Sequence, residues 1–299
     1  MKKILVTGSN GLLGQKLIVK LSHNPKFEVM GISKGDNRVT GLSFPYKEVD
    51  ICDRESVLAV FDEYKPDFVI HTAAMTNVDS CESDKEGCID LNVNATGHIL
   101  EASEKYKTHV IHLSTDFIFD GTSGPYKEED EPNPLSFYGH SKWDAEKMVM
   151  QYPHPWSIVR TVLVYGVVPG LSRSNIVLWA KGALEKGDPI KVVNDQFRTP
   201  TLAEDLADGC IQIAEHEKQG IYNISGPDFM SVLELVERVA NFYRLPTTLI
   251  NPISSDTLNQ AAKRPPRTGF DISKAEKDLH YKPHTFEQGL LVVTGQLGK

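Results

Sequence analysis

Few residues in this chain suit extracellular cross-linking or metal chemistry. It has just four cysteines, Cys52, Cys81, Cys88 and Cys210, and no CxxC pair, which predicts reduced thiols rather than a disulfide framework. No group of His, Cys, Asp and Glu shows metal-ligand spacing, so no metal is expected. Positive charge is scarce too: 32 Lys and Arg against 40 Asp and Glu leave a formal net charge of −8. A nucleic-acid partner is therefore excluded, because phosphate binding on that scale needs a clustered basic excess. No apolar run reaches the roughly 18 residues of a membrane-spanning helix. The first strand begins within three residues of Met1, leaving no room for a secretion signal. These absences predict a cytoplasmic protein with no membrane partner.

Across 299 residues, 40% hydrophobic and 24% charged content is ordinary for a globular chain with a large core. Lys3 to Thr7 (KILVT) is a short apolar run, followed at once by Gly8-Ser9-Asn10-Gly11-Leu12-Leu13-Gly14 and then by helical spacing over Gln15 to Leu21. Strand, glycine turn, helix is an order with chemical meaning. Glycines let the backbone turn tightly and approach a ligand, while the helix presents unpaired N–H groups and a positive dipole end, which suits a pyrophosphate.

Phe27 to Ile32 reads as a second strand, followed by Ser33, Lys34, Gly35, Asp36, Asn37 and Arg38. In a dinucleotide site this position meets the adenosine ribose. Ser33, Lys34 and Arg38 suit a 2′-phosphate, so NADP(H) is favoured over NAD(H), with Asp36 the residue that would suit NAD(H). Lys47 to Asp50 reads as a third strand ending in an acid, which can accept from adenine or cap the helix near Arg54. Asp67 to His71 is a buried strand ending in Thr72-Ala73-Ala74-Met75, small enough for a flat cofactor to lie against. A helix over Glu86 to Tyr106 carries Asn92.

Val110 to Leu113 is a fifth strand ending in Ser114-Thr115-Asp116. Alternating strands and helices predict an α/β fold with a doubly wound parallel sheet, whose ligands bind beyond the carboxyl ends of the strands. After a polar loop, Asp120 to Pro134, come Tyr138 and Lys142. Four residues apart on one helix face, they form a pair in which an ammonium lowers the phenol's pKa toward the range useful for proton transfer. Further on, Asn175 to Lys186, Leu202 to Glu215 and Ser231 to Tyr243 read as helices, and Ile221 to Ser225 as a strand.

GSNGLLG, HTAA, STDFIFDG, GPYKEED and YGHSK, in this order, resemble the extended short-chain dehydrogenase/reductases, and within them the dTDP-4-dehydrorhamnose reductase (RmlD-like) family. QFRTPTLAEDL and RPPRTGFDISK extend the resemblance over essentially the whole chain. It implies a Rossmann-type nucleotide domain at 1–166 and 201–225 and an interleaved substrate lobe at 167–200 and 226–299. Tyr138 would be the proton donor, Lys142 its partner and a nicotinamide-ribose anchor, and Thr115 the hydroxyl that orients a sugar carbonyl. Gly8, Asn10, Gly11, Leu12, Leu13 and Gly14 would hold the pyrophosphate, Ser33 and Lys34 the ribose end, Asp50 and Ile51 the adenine side. Ala73, Ala74, Met75 and Asn92 would line the middle of the cofactor, and Asp116 would touch the sugar.

Two positions depart from that pattern. Leu163 stands where family members often have a Trp, and Arg198 replaces a small residue, either to meet substrate phosphates or to form a structural salt bridge. The implied activity is NAD(P)H-dependent reduction of a nucleotide-diphosphate 4-keto-6-deoxy sugar, with dTDP-L-rhamnose as product. A homodimer through the helices bearing Asn92 and Tyr138 is the expected assembly. The alternatives are a non-catalytic regulatory subunit like that of methionine adenosyltransferase, which resembles the same family, and a nucleotide-sugar epimerase or dehydratase.

Overall fold

The computed structural model describes residues 1–171 and 174–298. The first half of the chain runs β1 (Lys2–Thr7), α1 (Leu12–Ser22), β2 (Phe27–Ser33), β3 (Tyr46–Glu48), α2 (Arg54–Tyr64), β4 (Phe68–His71), α3 (Val78–Ser83), α4 (Lys85–Ile89), α5 (Ala95–Tyr106), β5 (His109–Thr115) and α6 (Phe137–Met150). The second half continues with β6 (Trp156–Thr161), β7 (Val164–Tyr165), α7 (Ile176–Glu185), β8 (Ile190–Val193), β9 (Phe197–Arg198), β10 (Thr201–Leu202), α8 (Ala203–Glu215) and β11 (Gly220–Asn223). It ends with β12 (Met230–Ser231), α9 (Val232–Phe242), β13 (Ile250–Ile253), α10 (Ser273–Leu279) and α11 (Phe286–Leu297).

Seven strands form one parallel sheet in the order β11-β6-β5-β4-β1-β2-β3. Successive strand side chains point to opposite faces, and the core follows that alternation. Ile4 and Val6 pack on one face with Leu17, Ile18 and Leu21 of α1 and Leu206 and Cys210 of α8. Leu5 packs on the other with Val57 and Phe61 of α2, Ile99 of α5 and Val149 of α6. Each fully buried aliphatic side chain contributes about 1.5–3 kcal/mol. Covered on both faces, the strands read as continuous apolar runs, as a parallel sheet requires. The strand order reverses at β1, between β4 and β2, so the ligand crevice lies past the carboxyl ends of β1 and β4.

The C-terminal elements build a second core from Tyr165, α7, β8, α9 and α11, with small two-stranded pairs β10-β7, β12-β9 and β13-β8. α10 departs from the expected division. Ala275 and Leu279, with Phe270 and Ile272, join the sheet's own core rather than that of the lobe. Two local expectations also change. The third strand ends at Glu48, before Asp50, and the expected helix over Glu86 to Tyr106 is interrupted by a π-turn at Asp90–Asn94. No helix among the described residues is long and apolar enough to cross a membrane.

Candidate active site

The turn after β1 is built for close approach. Gly8 has φ +64°, and a Cβ there would stand 2.9 Å from the backbone of Ala73, while one on Gly14 would stand 2.2 Å from the Gly8 carbonyl oxygen. Both positions therefore need glycine. Gly11 N–H donates to Gly8 O at 2.9 Å and serves as the N-cap of α1, with no side-chain cap and no acid in the first turn. The helices α2, α6, α9 and α11 are capped instead by Asp53, Ser136, Ser231 and Thr285. An uncapped N-terminus with Leu12 and Leu13 in its first turn, beside a glycine cradle, fits a pyrophosphate.

In the loop after β2, expected to meet an adenosine, several side chains have partners within the protein. The Asn10 side chain is 6% exposed. Its Nδ2 donates to Lys34 O (3.2 Å), Asp36 O (2.9 Å) and Tyr46 Oη (3.2 Å), and its Oδ1 accepts from Arg38 N (2.9 Å). The Asn10 side chain thus ties down the loop after β2. Ser33 gives its carbonyl to Val49 N and Tyr46 Oη. Lys34 Nζ and Asp50 Oδ2 form an exposed ion pair at 2.7 Å; the Asp50 hydrogen bond raises the lysine pKa. The helix cap is Asp53, not Asp50. Ile51 buries its side chain in the core and gives its carbonyl to His98, leaving it no side chain for adenine.

In the middle of the crevice, Ala73, Ala74 and Met75 are half-buried beyond β4. Asn92, 1% exposed and in the π-turn, clips that loop. Its Oδ1 accepts from Met75 N at 2.8 Å, and its Nδ2 donates to Met75 O at 3.1 Å and to Ser141 Oγ at 3.0 Å. The π-turn therefore serves to aim Asn92 between the β4 loop and the helix of Tyr138, and such turns recur at functional sites.

Thr115 ends β5, and Tyr138 and Lys142 lie one turn apart on α6, all three buried. Tyr138 hydrogen-bonds Thr115, and burial raises its pKa while that bond opposes the rise. Phe117 packs edge-on against the phenol at 5.8 Å, and Met75, Cys81 and Cys88 complete the cluster around it. The expected direct lowering of the phenol by Lys142 is replaced by a different partnership. Lys142 Nζ donates to His112 Nε2 at 3.1 Å, and burial brings the amine's pKa down to about 8. Behind it, Thr7 Oγ1 meets His71 Nδ1 at 2.8 Å and His71 Nε2 meets Thr96 Oγ1 at 3.2 Å. His71 and His112 were missed in the sequence because each reads as part of an apolar strand, although a polar residue within such a run is itself a signal.

Asp116 faces a closed set of donors. Oδ1 accepts from Thr115 at 3.2 Å, and Oδ2 accepts from Thr268 and faces Arg198 Nε at 3.4 Å. The remaining guanidinium nitrogens of Arg198 donate to the carbonyls of Phe197, Pro266 and Pro265. Of the two readings for Arg198, this is the salt bridge; phosphate contact would require breaking it. Leu163 adopts φ +43° and packs against both the sheet core and the lobe core, a filling role.

A glycine cradle at the β1–β4 switch and a Thr, Tyr and Lys set beyond β5 define an α/β oxidoreductase of the short-chain dehydrogenase/reductase type. Residues 1–297 match the family model described as RmlD substrate binding domain, and the chain belongs to that family. It is 30% identical over 302 residues to dTDP-4-dehydrorhamnose reductase of Aggregatibacter actinomycetemcomitans, covering 97% of each chain. To methionine adenosyltransferase 2 subunit beta of Xenopus laevis it is 31% identical over 281 residues, covering 92% of this chain and 82% of the relative. The crystal structure of dTDP-4-dehydrorhamnose reductase from Bacillus anthracis, in complex with NADP, matches with a TM-score of 0.86 at 25% identity, covering 99% and 100% of the two chains.

Proposed function

We propose that the protein reduces a nucleotide-diphosphate 4-keto-6-deoxy sugar with NAD(P)H, preferring NADPH, and converts dTDP-4-dehydrorhamnose to dTDP-L-rhamnose. What supports this reading is that Thr115, at the end of β5, and Tyr138 and Lys142, one turn apart on α6, are all buried beyond the sheet that the glycine turn also serves. The nicotinamide, when bound, supplies hydride to the carbonyl carbon. The Tyr138 hydroxyl donates its proton to the carbonyl oxygen, and Thr115, whose hydroxyl is given to Asp116 Oδ1 in the free protein, turns that hydroxyl to the carbonyl oxygen when the sugar binds. Lys142, held one turn away, balances the phenolate that remains. Burial of the phenol disfavours that phenolate, so the nearby ammonium supplies stabilisation that water cannot.

General acid transfer of this kind is worth about 10²–10⁴ in rate. NADPH oxidation on adding dTDP-4-dehydrorhamnose should therefore fall by that factor in Tyr138→Phe, with NADPH binding retained. The likeness to the methionine adenosyltransferase subunit supports a second reading, a regulatory dinucleotide-binding subunit, and binding without turnover would favour it. A dehydratase is disfavoured because both oxygens of Asp116 already face donors. Cytoplasmic location and a homodimer complete the proposal; a monomer by light scattering would remove the latter.

A further inference from the structure

Lys142 is anchored from behind by a side chain to which the reading above gives no role. His112 is 1% exposed and sits on β5, three residues before Thr115. Its Nε2 lies 3.1 Å from Lys142 Nζ, and its Nδ1 has no partner among the described residues. Burying an imidazole with one ring nitrogen unpaired is costly, and its one polar contact is the lysine. The His71 ring, 5.3 Å away at 46°, braces its face, and His71 is itself tied to Thr7 and Thr96.

We propose that His112 is the positioning residue for Lys142: a neutral imidazole that fixes the direction of the amine without cancelling its charge. An ammonium has donors only, so Nε2 accepts and the ring proton sits on Nδ1. A carboxylate in this place would aim the amine equally well but would neutralise it. The other groups facing Lys142 are consistent with that design. Glu146, on its own helix, is bound by Arg160 at 2.8 Å; Cys88 of α4 donates its S–H to Ser141 Oγ and accepts from Asn92 Nδ2; His71 of β4 is neutral, with its pKa at about 3; Tyr138 lies one turn before. Burial likewise holds His112 well below its ordinary pKa, so it stays uncharged across the working pH range.

This inference rests on the reductase reading for its kinetic arm alone. In the full chain, His112→Leu should lower kcat about 10–100-fold, the worth of a hydrogen bond to a charged group. Sugar KM should hold, and the pH at which activity falls on the alkaline side should shift. His112→Gln, which keeps a neutral acceptor, should restore most of the loss. Equal impairment in Gln and Leu variants, or a Leu variant with the parent's kcat and pH profile, would overturn the proposal. An arm that needs neither turnover nor a variant at His112 uses the parent protein with ¹⁵N-labelled histidine, with Lys142→Met as its control. The Nε2 resonance of His112 should report an unprotonated acceptor and move as Lys142 titrates, and that movement should vanish in Lys142→Met. A resonance that ignores Lys142 refutes the pairing whether or not the protein reduces a sugar. Absent turnover by the parent, with the resonance behaving as expected, would count against the reductase alone.

Discussion

Two buried charges flank the end of β5, and the protein treats them oppositely. Asp116 is an anion fully matched: Arg198, Thr268 and Thr115 meet its oxygens, and Arg198 spends its other donors on backbone carbonyls of the chain around Pro265 and Pro266. Lys142 is a cation with no ion pair among the described residues, hydrogen-bonded to a neutral histidine. The matched charge ties the lobe segment to the sheet edge. The unmatched one is the charge available for chemistry, since burying it costs stability that structure alone would not retain.

Breaking the matched side gives the largest expected effect. Asp116→Ala leaves the Arg198 guanidinium buried without an anion, and chemical denaturation should show a loss of about 3–5 kcal/mol. On the unmatched side the effect is smaller. Lys142→Met removes a desolvated charge but leaves His112 Nε2 unpaired, so the unfolding midpoint should move far less than in Asp116→Ala, while turnover falls about 10²-fold or more. A Lys142→Met protein as destabilised as Asp116→Ala would end the distinction between the two.

The pH dependence sharpens the same contrast. Burial lowers the Lys142 pKa to about 8 in the folded protein, against about 10.4 in an unfolded chain. Between those values the unfolded state binds more protons, so stability should rise as pH increases through that window. Activity should fall over the same range as the ammonium loses its proton. Opposed slopes are expected in the parent, and the stability slope should flatten in Lys142→Met. The smallest effect belongs to the periphery: Lys34→Ala breaks an exposed pair with Asp50 worth about 0–1 kcal/mol, so stability should barely change while the preference for NADPH over NADH is lost. Equal affinities for the two cofactors in the parent would count against Lys34 as the discriminating residue.

Much of this was legible in the sequence where one residue type has one reason to be there. Gly8 and Gly14 are required by φ and by backbone approach, so their spacing announced the turn. Tyr138 and Lys142 announced their shared face through helical periodicity. What escaped depends on contacts between distant segments. The role of Asn10 follows from partners 24–36 residues away and that of Arg198 from Asp116 and from carbonyls 67–68 residues away, and no local pattern encodes which partner an asparagine or arginine meets. His112 and His71 were hidden for another reason: inside the strands VIHL and DFVIH their neighbours are apolar, and it is the packing of β4 against β5 that sets the two rings together. The π-turn at Asp90–Asn94 has no propensity signature in its sequence and is visible only through what Asn92 reaches.

The most direct test follows the hydride. NADPH carrying deuterium on the transferring face of the nicotinamide is mixed with dTDP-4-dehydrorhamnose and the protein, and the product sugar is examined by mass spectrometry. One deuterium at the former carbonyl carbon is expected, with Tyr138→Phe slowing its appearance; a protein that binds NADPH yet leaves the sugar unlabelled would contradict the reductase account.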